Sequence, residues 1–250
     1  MFPEIFLAFV GGLIFGSFLN VLLWRLPEGE SILGRSHCRH CSRMLAWYEL
    51  VPIVSFIFLK GRCRACGGKI HLRYPLVELS SGIVLALFWW TNSGLSVQDS
   101  IVSVFAILIL LSLFFFDLFY FILPDVITIP GIVIFLGYHF IQTDSFWAYA
   151  LTALLLALFF AILYGVSGSQ KMGFGDIKLA ALLGSIFGYP MGVINTVAGI
   201  WLAALTAIFL LAIRKATLKD PVPLGSFLTL AGLLSIIFAN EFAPLTLFFR

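Results

Sequence analysis

The chain has 250 residues, of which 61% are hydrophobic and 11% charged, with a mean hydropathy of +1.08 and a formal net charge of +3. A soluble domain carries about a quarter charged residues, so an ordinary water-soluble globule is excluded, and no nucleic-acid partner is expected. Apolar runs of helix-spanning length recur along most of the chain, which predicts an all-α polytopic membrane protein; a β-barrel would show short alternating segments instead. The 27 Phe and 6 Trp suit lipid-facing surfaces and interfacial anchors.

Met1-Phe2-Pro3-Glu4 has no basic stretch, and no small-x-small site follows, so the first apolar run, Ile5 to Trp24, reads as a retained helix and not a removed leader. Its Gly11, Gly12, Gly16 and Ser17 permit close helix packing. Arg25-Leu26-Pro27 ends it. Residues 25–74 are polar, basic and cysteine-bearing, apart from Val51 to Leu59. That short run cannot cross a bilayer and reads as a buried strand or helix of a small domain, or as an interfacial segment. Further spans are expected over Pro75–Thr91, Ser100–Phe116, Val126–Ile141 and Phe146–Val166, with Asp117 to Asp125 as a loop. Gly188-Tyr189-Pro190 then divides a long apolar stretch. The piece before it, Ile177 to Phe187, is short for a span: a half-helix, a tilted one, or one that thins the bilayer. Met191–Ile213 and Leu224–Ala239 complete about eight transmembrane helices, with no internal repeat. The expected organisation is a first helix over 1–24, a small inserted domain over 25–74 and a membrane core over 75–250.

Orientation follows from the basic residues. If 25–74 is cytoplasmic, alternation puts the Asp117, Lys171 and Arg214 loops on the same side, and these segments with their flanks hold every Lys and Arg except Arg250. The opposite loops hold Asp99, Asp144 and Glu241. The bias predicts that the cysteine segment faces the cytoplasm, and that Asp117, Asp125 and Asp176 lie at that edge.

Acids at the edge of hydrocarbon are expensive and mark candidate sites. Asp176 sits in the glycine-flanked stretch Lys171-Met172-Gly173-Phe174-Gly175-Asp176-Ile177-Lys178. Gly173 and Gly175 would let the loop turn tightly and a substrate backbone approach. Two carboxyls sharing a proton can activate water and polarise a carbonyl together. An Asp at a helix start is also often only a cap, and Asp125 after Pro124 looks most like one. Asp117 instead ends an apolar helix, where the dipole disfavours an anion. Spacing alone leaves caps and a catalytic pair both open. Edge carboxylates could also serve a transporter or proton relay, although such acids usually sit near the midplane of repeated folds.

Cys38-x2-Cys41 and Cys63-x2-Cys66 on one polar segment match a tetrahedral metal site better than a disulfide framework or a redox dithiol. Four thiolates suit structural Zn²⁺, which a segment of low apolar content needs as a staple. Arg35, Arg39, Arg43, Arg62 and Arg64 would favour thiolate and contact anionic membrane lipid. His40 could compete as a ligand, but a bystander is the commoner role for such a histidine, so the four sulfurs are kept as the ligand set. A zinc-stapled membrane scaffold without chemistry is the remaining rival.

Taken together these motifs resemble the prepilin peptidases, the type IV leader peptidase family of Gly-x-Gly-Asp membrane aspartyl proteases. Gly16-Ser17-Phe18-Leu19-Asn20-Val21 with Arg25-Leu26-Pro27 is similar to that family's opening. So are the paired cysteine motifs and Arg73-Tyr74-Pro75-Leu76-Val77-Glu78. Asp117 with Leu123-Pro124-Asp125 resembles its first catalytic motif and Gly173–Lys178 its second, the likeness running to about Gly225. Glu49 departs from the Asn that many members carry. The resemblance implies Asp117 and Asp176 as the catalytic acids of an endopeptidase. Its substrates would be prepilin or pseudopilin precursors, cut after Gly at the cytoplasmic face of the bacterial inner membrane. It also implies N-methylation of the new amino terminus with S-adenosylmethionine; no Gly-x-Gly-x-x-Gly fingerprint assigns residues to that cofactor.

Overall fold

The structure, a computed structural model, describes residues 2–142, 145–167, 173–215, 217 and 220–239. Lys171 and Met172 of the glycine-flanked stretch lie outside them, as do Asp144, Lys219, Glu241 and Arg250 of the charge argument. The chain divides into two compact units, Met1–Val97 and Gln98–Arg250.

The first unit is built on α1 (Phe2–Arg25) and α3 (Arg73–Thr91). Both are apolar runs that satisfy their own backbone, as hydrocarbon demands. They meet through small residues. A Cβ on Gly12 would fall 2.4 Å from the Ser81 carbonyl oxygen, and one on Gly16 would fall 2.6 Å from the Glu78 Cα. Glycine spaced by four residues lets the backbones touch, which is how helices adhere where no hydrophobic drive exists between them. Asn20 fastens the lower end by donating to the Tyr74 carbonyl at 3.0 Å.

Between these helices the segment 25–74 forms no extended sheet. Cys38–Arg43 and Cys63–Gly68 fold into matching turns. In each, the leading cysteine N–H reaches a carbonyl five residues on (2.9 and 2.8 Å), and its carbonyl accepts the N–H four residues on. That fourth residue takes positive φ in both turns, Ser42 at 56° and Gly67 at 69°. Each turn is closed by one isolated antiparallel bridge, His37 with Met44 and Arg62 with Lys69. The ambiguous run Val51–Leu59 contains a short helix, α2 (Val54–Phe58).

The second unit packs α4 (Val97–Tyr120), α5 (Asp125–Gln142), α6 (Phe146–Ser167), α7 (Phe174–Phe187), α8 (Met191–Ala212) and α9 (Leu224–Ile237). Half of the α4 span is buried, against 22% for α5, α6 and α8, so α4 is an inner helix. Glycines again mark the closest approaches. Gly184 of α7 abuts Ala153 of α6, Gly199 of α8 abuts Leu228 of α9, and Gly232 of α9 faces Leu110 and Leu183 of α4 and α7. Buried Leu179, Leu182 and Leu183 put α7 at the centre of this unit.

The protein is therefore an all-α polytopic membrane protein. Among the described residues six helices, α1, α3, α4, α5, α6 and α8, are long and apolar enough to cross a membrane. α7 and α9 form where helices were expected but have 14 residues each, about 21 Å, short of a hydrocarbon core of about 30 Å. One boundary is corrected. Asp117 does not begin a loop, because Leu118, Phe119 and Tyr120 prolong the apolar helix and Asp117 lies in its last turn. The helix stops where the Phe121 N–H bonds the Asp117 carbonyl at 2.9 Å and Phe121 takes φ 55°.

Candidate active site

Asp117 is 6% exposed, a carboxyl at the carboxyl-terminal end of an inner helix. An anion there opposes the helix dipole. The start of α9 supplies the remedy. The Ser226 N–H donates to Asp117 Oδ2 at 2.5 Å, and the Ser226 hydroxyl donates to the same oxygen at 2.9 Å. Ser226 is the third residue of α9, where unsatisfied N–H groups attract negative charge. Gly225 makes room: a Cβ there would lie 2.9 Å from the Asp117 Cγ.

Asp176 is half-buried in the first turn of α7. Its N–H bonds the Gly173 carbonyl at 3.1 Å, and Gly173 is extended at φ −78°, ψ 142°, so the chain enters the helix sharply. Gly175 lets the turn press on the loop after α4, since a Cβ there would lie 3.1 Å from the Leu123 Cβ. Asp176 thus opens α7 against the loop that follows the Asp117 helix. Asp125, the third acid, opens α5 and is exposed. It pairs with Lys178 of the same glycine-flanked motif, a partnership the sequence did not reveal.

All four cysteine sulfurs of the first unit lie within 4.8 Å of one another. Tetrahedral zinc with Zn–S of about 2.3 Å requires sulfurs about 3.8 Å apart, and Cys38 and Cys66 stand at 3.9 Å. The donor set therefore fits the metal. His40 is not part of the cluster; its ring lies against Gly68, where a Cβ would clash at 2.5 Å. The backbone N–H groups of Cys66 and Ala65 pull the Cys63 thiol down to about 6. The Gly68 N–H pulls Cys66 the same way, but desolvation and the neighbouring thiols prevail and hold it at about 11.

Glu49 is explained by its surroundings. It is buried, accepts the Ala46 N–H at 2.9 Å and pairs with Arg43 at 2.6 Å. These contacts, the Ala46 N–H foremost, hold its carboxyl below the usual range. The pair clips the first cysteine turn to the turn at Trp47–Leu50.

The first unit also holds a partly open cavity of about 950 Å³, bounded by α1, the cysteine segment and α3. Phe18, Trp24, Phe56 and Tyr74 contribute to its wall, with Asn20 and Glu78 among its polar residues. It is not legible from local pattern, because its walls come from three separate stretches.

Two family patterns match the chain: the bacterial peptidase A24 N-terminal domain over residues 10–92, and the type IV leader peptidase family over residues 104–213. The chain is similar to a prepilin leader peptidase/N-methyltransferase of Pseudomonas putida, 31% identical over 94% of this chain and 91% of that protein. A type 4 prepilin-like proteins leader peptide-processing enzyme of Escherichia coli is 33% identical, over 92% of each. A Myxococcus xanthus prepilin leader peptidase/N-methyltransferase is 37% identical over 71% of this chain and 54% of that protein. No solved structure matches the chain.

Proposed function

The chain belongs to the type IV leader peptidase family, and we propose from that membership that it is a membrane aspartyl endopeptidase that removes the leader of prepilin-like precursors and then N-methylates the exposed amino terminus. The observation that carries the proteolytic half is the pair Asp117 and Asp176. They stand at the ends of α4 and α7, which meet where Gly175 presses on Leu123, with a glycine beside each. One carboxylate takes a proton from water as it attacks the scissile carbonyl, and its protonated partner donates a hydrogen bond to the carbonyl oxygen. The Ser226 N–H and hydroxyl hold the Asp117 carboxyl in one orientation. A substrate's apolar helix docks between membrane helices and presents its Gly-terminated leader beside the acids. The charge bias supports a bacterial inner-membrane site facing the cytoplasm. On this reading the functional parts are the first helix over 1–24, the cytoplasmic cysteine domain over 25–74 and the protease core within 75–250.

Cys38, Cys41, Cys63 and Cys66 hold a structural zinc ion, which fastens the two matching turns to each other. S-adenosylmethionine supplies the methyl group when bound. The cavity of the first unit has the volume of small-molecule sites, about 300–1,000 Å³. The test is to incubate the purified protein with a prepilin, with and without S-adenosylmethionine, and to read the products by mass spectrometry. Cleavage after Gly, and a further methyl mass only when the donor is present, is the expected result. Ion flux from reconstituted vesicles without any cleavage would favour a transporter and overturn the reading.

A further inference from the structure

Asn20 is 3% exposed, and its side-chain N–H donates to the Tyr74 carbonyl, which fixes the amide's orientation. Its Oδ1 is left buried without a hydrogen-bond partner, although the residue lines the large cavity. A buried acceptor without a donor is costly to maintain. Glu78, on the facing helix α3, lines the same cavity at 8% exposure. It accepts the Ile53 N–H at 2.8 Å and a hydrogen bond from Ser17. A carboxylate has about four acceptor positions, so capacity remains. Four cationic side chains, Arg25, Arg39, Arg64 and Lys69, also line the cavity, and three of them are engaged within the first unit, Arg64 by donating to the Tyr48 hydroxyl at 3.1 Å. Arg25 donates to four backbone carbonyls, and the Arg39 guanidinium lies 3.0 Å from the centre of the Trp24 ring. Acceptors in surplus, one of them anionic, beside an apolar and aromatic wall describe a complement to an ammonium group on an apolar body.

We propose that this cavity receives the freed amino terminus of a cleaved substrate. The Asn20 carbonyl oxygen and the Glu78 carboxylate accept hydrogen bonds from its ammonium, and the apolar wall takes its first side chain. The proposal rests on the two-activity reading above and gives the methyl-transfer half an acceptor site. Glu78 then has two tasks, since it also anchors the backbone at Ile53, which is held at φ 61° just before α2.

The test is calorimetric titration of the full-length, detergent-solubilised protein with two short apolar peptides. One begins with Phe bearing a free amine, and the other is the same peptide N-acetylated. The free-amine peptide binds at least about tenfold more tightly, as expected for hydrogen bonds to a charged group. Glu78→Gln keeps an acceptor for the Ile53 N–H but loses the charge, and Asn20→Leu removes the orphan acceptor. Each weakens the free-amine peptide by about tenfold, while cleavage of a prepilin proceeds at the wild-type rate; the thermal midpoint holds for Glu78→Gln, and Asn20→Leu, which also loses the bond to the Tyr74 carbonyl, is read below its own midpoint. Equal binding of the two peptides, or wild-type binding by Glu78→Gln, would overturn the proposal. A protein that cleaves but never methylates would sink the two-activity reading instead, and the peptide comparison would still judge the cavity.

Discussion

The cysteine segment and the helical unit 98–250 reach order by opposite routes. In the helical unit the apolar runs bury themselves, glycines bring backbones into contact, and the two acids are carried to the ends of helices that would form without them. In the cysteine segment little is buried. Its turns are held by backbone hydrogen bonds, an Arg–Glu pair and single isolated bridges, around a cluster of four sulfurs. The first design resists a lost side chain but not a shifted backbone. The second has few contacts to spare, so each polar tie carries a large share.

The sharpest break of this contrast is at the acids. Asp117→Asn or Asp176→Asn lowers prepilin cleavage by at least about a thousandfold, with membrane insertion and thermal midpoint unchanged; wild-type cleavage by either variant would rule the pair out. Metal removal strikes the other region. Elemental analysis finds about one zinc per chain, and a chelator makes residues 25–74 sensitive to limited proteolysis while circular dichroism still reports the membrane helices. Metal-free protein that resists protease as well as the zinc form would refute the staple. Gly225→Ala tests backbone tolerance, because the added methyl must displace the Asp117 carboxyl. A shift on the order of 1 Å costs about a hundredfold in kcat, with zinc content untouched.

Smaller effects sharpen the comparison. Ser226→Ala keeps the N–H bond to Asp117 and loses only the hydroxyl, which costs roughly tenfold in kcat; a kcat equal to wild type would show that the hydroxyl is idle. Glu49→Gln affects only the cysteine segment. Because the folded Glu49 carboxyl is held below its ordinary value, its contribution is present above the unfolded pKa, about 4.3, and is lost as pH falls through the folded one. Wild type is thus more protease-resistant over 25–74 than the variant near neutral pH, and the gap closes in acid. A gap that persists well below pH 4 would sink the argument.

Helix positions were legible because hydrocarbon leaves the backbone no alternative. The expected Phe146–Val166 and the observed Phe146–Ser167 differ by one residue. The short helix α7 was legible too, since Gly188-Tyr189-Pro190 stops it at Phe187. Sequence pattern ends the third span too early, because a charge after an apolar run suggests the end of a helix. In fact Asp117 is tolerated inside α4, its carboxyl answered by Ser226, a residue 109 positions later. No local pattern announces such a contact, nor the Lys178 partner of Asp125, nor the cavity at Asn20. The cysteine cluster was legible from spacing, whereas the likeness of its two turns emerged only from their backbone.

At the exit of the first helix Arg25 is 6% exposed, and its guanidinium is encircled by the carbonyls of Ser31, Ile32, Leu33 and Arg35. Every one of these partners lies within ten residues, so the bend can set as soon as that stretch leaves the ribosome, before any later helix has been synthesised. Lysine, a single point charge on a flexible stem, could not hold four oxygens at once. One side chain thus fixes the heading of the nascent polypeptide as it quits the lipid.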